Sequence, residues 1–92
     1  MARVVVTLKI MPKTPKTDLS VIETRAMEHI RYFAGETETK VEKEEVAFGL
    51  KALKIIFVMD ESKGSTDALE ESIKKIKGVN SVEVVDVRRA IG

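Results

Sequence analysis

The apolar pattern predicts an α+β sandwich in the order β-α-β-β-α-β, and three observations carry that prediction. Val4, Val6, Leu8 and Ile10 alternate with Val5, Thr7 and Lys9, the period of two that buries one face of a strand. Leu50 to Met59 is nearly continuous apolar sequence, as in a central strand, with Leu53, Ile55, Phe57 and Met59 on one side and Ala52, Lys54, Ile56 and Val58 on the other. Each of these segments is followed by a stretch with apolar residues at three- and four-residue steps, the mark of an amphipathic helix. Two β-α-β units of this kind pack both helices on one face of a four-stranded antiparallel sheet, the ferredoxin-like split β-α-β arrangement. Its first and third strands lie in the middle, and they are the most apolar strands here.

The remaining elements fall into place along the chain. Met11-Pro12-Lys13-Thr14-Pro15-Lys16 ends the first strand, because proline cannot donate to a ladder. Thr17 and Asp18 are candidate caps for the first helix, whose buried stripe is Leu19, Ile22, Ala26, Ile30 and Phe33, with Gly35 as its stop. Glu38 to Val46 mixes threonine and valine with many charges, which suits an exposed edge strand. After the polar turn from Asp60 to Ser65, Ser65 or Thr66 caps the second helix. Its early acids (Asp67, Glu70, Glu71) and late lysines (Lys74, Lys75, Lys77) complement the helix dipole. Leu69, Ile73 and Ile76 form its buried stripe, Gly78 stops it, and Val79 to Val87 supplies the last strand.

Ninety-two residues are expected to form a single domain, 1–92. The absence of cysteine excludes disulfides and thiolate metal sites. Sixteen basic residues nearly cancel fifteen acidic ones, so no global field draws the chain to nucleic acid or to an anionic membrane. No apolar run approaches the ~20 residues that span a bilayer. The opening Met1-Ala2-Arg3-Val4-Val5-Val6 reads as strand and not as a secretory signal, and the expected location is the cytoplasm.

Catalytic chemistry has little to work with, and the chain is not expected to be an enzyme. His29 is the sole histidine and flanks a helical core stripe. The five glycines are scattered at turns and form no phosphate loop. Glu44 and Glu45, as strand neighbours, point to opposite faces and do not converge. No cofactor is implied. An RNA-binding module of this topology would need aromatics on the two central strands, where only Phe57 occurs, in phase with the core; its binding would depend on Lys9 and Lys54. A small-molecule regulatory module is also compatible with the topology, since fold alone does not carry function. The sheet face bearing Val5, Thr7, Lys9, Lys54, Ile56 and Val58 is partly apolar, as a binding surface or a dimer seam would be.

Two places exceed what folding requires. Val46-Ala47-Phe48-Gly49-Leu50 sets an aromatic and a glycine between two strands; the residues alone favour a hairpin or bulge whose phenylalanine tucks into the core. Near the end, Arg88 and Arg89 form either a solubilising cap or a guanidinium pair suited to carboxylates or phosphates.

With four segments in order, the chain resembles the elongation factor 1-beta family, particularly its archaeal branch. These are Val4-Val5-Val6-Thr7-Leu8-Lys9-Ile10-Met11-Pro12, Val46-Ala47-Phe48-Gly49-Leu50-Lys51-Ala52-Leu53, Asp67-Ala68-Leu69-Glu70-Glu71-Ser72-Ile73 and Val84-Val85-Asp86-Val87-Arg88-Arg89. The resemblance implies a guanine-nucleotide exchange factor that promotes GDP release and GTP loading on elongation factor 1-alpha, with no direct nucleic-acid contact. It implies that Phe48 and Gly49 meet the GTPase. It also implies that Arg88, Arg89, Ala90 and Ile91 approach the partner's magnesium and phosphate region. Eukaryotic members place a lysine beside the final residue there. This chain ends Ile91-Gly92, with no lysine after Lys77 and Arg88 and Arg89 as the nearest cations. One contact surface is expected to join Phe48 and the Arg88–Ile91 tail, with the Met11–Lys16 loop at the same end.

Overall fold

A computed structural model describes residues 2–90. Its elements are β1 (Arg3–Pro12), α1 (Leu19–Ala34), β2 (Thr39–Ala47), β3 (Leu50–Asp60), a short 3₁₀ turn (Glu61–Lys63), α2 (Asp67–Lys74) and β4 (Val79–Ala90). The strands form one antiparallel sheet in the order β2-β3-β1-β4, which puts the two most apolar strands in the middle. Val6, Leu8, Ile10, Leu53, Ile55, Phe57 and Met59 face both helices and are buried with Ile22, Ala26, Ile30, Leu69 and Ile73. The architecture is the α+β ferredoxin-like sandwich that the period-two runs and the helical stripes predict.

Local chemistry sets the ends of the helices. Asp18 caps α1, its Oδ1 accepting from the Ser20 N–H at 2.9 Å. Thr17 does something else: its Oγ1 accepts from the Thr14 N–H at 3.2 Å and closes the β1–α1 loop. Ahead of α2, Ser65 Oγ accepts from the Asp67 N–H at 3.1 Å, whereas Thr66 Oγ1 donates to Glu70 Oε2 at 2.8 Å. The second helix stops at Lys74, earlier than the Gly78 stop expected from the sequence. Its last carbonyls are taken up by tighter bonds, Lys75 N–H to Ser72 O and Ile76 N–H to Ile73 O, so the chain winds down before the glycine. Gly78, at φ 96°, then lies so close to the β1–α1 loop that a Cβ there would stand 2.9 Å from Thr17 Cγ2.

A bulge shapes β4. Leu8 pairs with Val84 and Thr7 with Asp86, so two residues, Val85 and Asp86, oppose one. The extra residue brings Val87, instead of Asp86, opposite the core residue Val6.

Candidate functional site

Strand direction decides which candidate residues meet. β3 runs from Leu50 to Asp60 and pairs antiparallel with β1, so Leu53 lies opposite Ile10 and Asp60 opposite Arg3. β4 also runs antiparallel to β1, pairing Val79 with Pro12 and Ala90 with Arg3. The β2–β3 turn therefore shares one end of the sheet with the β1–α1 loop, while Arg88, Arg89 and Ala90 lie at the other. The ten residue steps of β3, at about 3.3 Å each, put roughly 33 Å between them, within a molecule 42 Å long. The single surface expected to join Phe48 to the Arg88–Ile91 tail is thus corrected to two separate ends, and the Met11–Lys16 loop falls at the end of Phe48. Ile91 lies outside the described residues.

At the first end, Ala47 pairs with Leu50 across a two-residue turn in which Phe48 has φ 52° and Gly49 φ 79°. Positive φ at both central positions is the signature of the type I′ hairpin turn, whose twist matches the flanking strands and which ordinarily takes Asn-Gly or Asp-Gly. A bulky aromatic in the left-handed region costs about 1–3 kcal/mol. Core burial does not offset that cost, because Phe48 is 95% exposed. The expectation of a phenylalanine tucked into the core is overturned: the turn geometry carries the ring outward. Gly49 lies beside the β1–α1 loop, with Pro15 Cβ 3.8 Å from where its own Cβ would be.

At the second end the two arginines part company. Arg88 pairs with Val5 on the open face and Arg89 with Val4 on the helix face, so successive residues point apart. Arg88 Nε meets Asp86 Oδ2 at 2.9 Å, and Arg89 Nη2 meets Glu61 Oε1 at 2.7 Å. They do not form the guanidinium pair that their adjacency in sequence suggests. Ala90 closes the strand opposite Arg3.

The open face between these ends carries Val5, Thr7, Lys9, Lys54, Ile56 and Val58, all half-buried. Lys9 and Lys54 stand directly opposite each other, an arrangement that repels. Glu44 offsets it, reaching Lys54 at 2.7 Å and Lys9 at 3.7 Å. The Lys54 hydrogen bond, helped by both ammonium charges, holds the Glu44 carboxyl below its ordinary value, and the same bond raises Lys54. The two lysines that an RNA-binding surface would present are therefore tied to a single carboxylate, and Phe57 is fully buried on the other face. An open groove of ≈ 760 Å³ runs between the helices past His29, lined by Arg25 and Lys75 as well as Asp18 and Glu28. Among the described residues, no group of three or more histidine and acidic side chains is placed to hold a metal, and no helix is long and apolar enough to cross a membrane.

Comparison with known proteins adds identity to this geometry. Residues 5–90 match the EF-1 guanine nucleotide exchange domain. The chain is 42% identical over 89 residues to elongation factor 1-beta of Methanothermobacter thermautotrophicus, covering 97% of this chain and 98% of that protein. It is 41% identical over 90 residues to elongation factor 1-beta of Methanobrevibacter smithii, again covering 97% and 98%. Among solved structures, the de novo designed protein Foldit4 superposes with a TM-score of 0.63 over 98% of each chain; at 21% identity it shows the fold alone.

Proposed function

The chain belongs to the EF-1 guanine nucleotide exchange domain family, and on that premise we propose that residues 1–92 act as one exchange domain for elongation factor 1-alpha in the cytoplasm. The domain promotes GDP release and GTP loading during translation elongation, with no catalytic group of its own and no direct contact with nucleic acid. The observation that carries this reading is Phe48, a strained and fully presented aromatic at a hairpin tip. Backbone outliers that folding does not explain cluster at functional sites, and a rigid aromatic is a common anchor of protein interfaces.

The physical work is linkage. A protein that binds the empty GTPase better than the loaded one weakens nucleotide binding by the same free energy. A coupling of about 4 kcal/mol corresponds to roughly a thousandfold in affinity. Phe48 and Gly49 supply one contact and Arg88, Arg89, Ala90 and Ile91 a second, on a partner broad enough to meet both ends of the sheet. At the second contact, Arg88 and Arg89 start from ion pairs with Asp86 and Glu61, which hold the strand end in place.

The test uses elongation factor 1-alpha loaded with a fluorescent GDP analogue. Adding the protein should accelerate release many-fold, and Phe48→Ala should blunt the effect while the domain stays folded. Unchanged release with Phe48→Ala would remove Phe48 from the site, and no acceleration by the wild-type protein would remove the function.

A further inference from the structure

We infer that the Phe48 turn and the β1–α1 loop together form a bipartite docking surface, an apolar anchor flanked by lysines, that fits an apolar pocket edged by carboxylates on the GTPase. This inference rests on the exchange reading above and adds the loop, the charge and the partner's chemistry. The loop is brought to the turn by strand direction and fixed there from both sides. Lys13 N–H donates to Gly78 O at 2.9 Å, Thr17 N–H donates to Thr14 O at 3.2 Å, and Lys16 N–H donates to Thr14 Oγ1 at 3.2 Å. Pro15 packs beside Gly49, and a notch of ≈ 300 Å³ between loop and turn is lined by Thr14, Pro15, Gly49 and Lys51.

Charge at this end is positive on balance, with Lys13, Lys16 and Lys51 against Glu45 and Asp18. Lys13, Lys16 and Lys51 are exposed, and among the described residues none has a carboxylate within ion-pair distance. The two acids nearby offset it in part without pairing with a lysine. Glu45 stands opposite Lys51 in the ladder without reaching it, and Asp18 is occupied by the Ser20 N–H. Lys9 and Lys54 on the open face and both tail arginines are paired, whereas the loop lysines, like Lys74 on α2, are not; what sets the loop lysines apart is their place at the end of the sheet that carries Phe48. Single-stranded RNA would be read by several aromatics stacked along a basic groove. One ring at the tip of a rigid turn, with cations at its flank, instead suits a pocket with an acidic edge, where charge steers the encounter and the ring holds the complex.

The experiment measures association of the intact protein with nucleotide-free elongation factor 1-alpha by stopped flow at several salt concentrations. Lys13→Glu and Lys16→Glu should each slow association by about threefold or more at low salt, an effect that shrinks as salt is added. Lys74→Glu, the same charge change on the exposed face of α2, should stay near wild type. Equal rates for the loop variants and Lys74→Glu would overturn the inference while leaving the exchange function standing. So would salt-sensitive binding of an oligouridine probe that depends on Lys13 and Lys16 while GTPase association does not. Failure of the wild-type protein to bind the GTPase at all would remove both.

Discussion

Arg89 and Glu61 meet at 2.7 Å, Nη2 to Oε1, at the end of the sheet opposite Phe48. Glu61 opens the 3₁₀ turn after β3, and its own N–H donates to Ala2 O at 3.0 Å, so one residue gathers both chain-terminal strands. The pair is exposed on both sides, and exposed pairs contribute about 0–1 kcal/mol. It links the end of β4 to the 3₁₀ turn. Glu61→Gln is expected to leave the urea midpoint almost unchanged. If the β4 end is a contact, it should still reduce the acceleration of GDP release; equal exchange by Glu61→Gln and wild type would make the pair a surface ornament.

Phe48 predicts an opposition between stability and function. Asparagine tolerates the left-handed conformation and is the usual first residue of a type I′ turn. Phe48→Asn should therefore stabilise the domain by about 1 kcal/mol, or roughly 4–8 °C in Tm for a domain of this size. Exchange activity should fall in the same variant. A loss of thermal stability would show that the ring packs against something.

Two glycines separate conformational strain from crowding. Gly64 and Gly78 both have positive φ, 77° and 96°, but only Gly78 has a close neighbour, Thr17 Cγ2 at 2.9 Å from the added Cβ. Gly64→Ala should cost about 1–3 kcal/mol for the backbone alone, because φ 77° with ψ −142° is a conformation essentially reserved for glycine. Gly78→Ala should cost about 1–3 kcal/mol more, since it also pushes on the β1–α1 loop. Chemical denaturation of both variants checks the difference.

Glu44 sets part of the acid limb of stability. Its hydrogen bond from Lys54, with the charges of Lys54 and Lys9, lowers the folded carboxyl below its unfolded value. Unfolding must then take up a proton at low pH, so this contribution is present above the ordinary carboxylate value of about 4.3 and fades as pH falls through the lower folded one. Asp60 behaves alike, lowered chiefly by the backbone N–H of Ser62. A Glu44→Gln variant should lose less stability than wild type between neutral pH and pH 3. Parallel stability curves would contradict this role.

Much of this was legible from residue order. The run from Leu50 to Met59 assigns its own faces because every second residue is large and apolar, and Asp18 announces the start of α1. Even the β4 bulge leaves a trace, in valines two apart at 82 and 84 and again at 85 and 87, where the alternation shifts by one residue. The placement of the candidate contacts was also available. β3 and β4 are joined by a helical crossover and run parallel, so the start of one and the end of the other must lie at opposite ends. Likewise Arg88 and Arg89 alternate faces for the same reason as Glu44 and Glu45. The orientation of Phe48 was less accessible. Phenylalanine is usually a core residue, and nothing in its neighbours marks the positive φ that turns it outward except Gly49, the second residue of the turn.

The central claim is a preference, and the most direct measurement is a pair of affinities. Titrating the protein into elongation factor 1-alpha, once stripped of nucleotide and once saturated with GDP, should give a Kd at least about a hundredfold tighter for the empty form, equivalent to roughly 2.7 kcal/mol of coupling. Equal affinity for the two forms would contradict the account, because a ligand that does not distinguish two states cannot shift one toward the other.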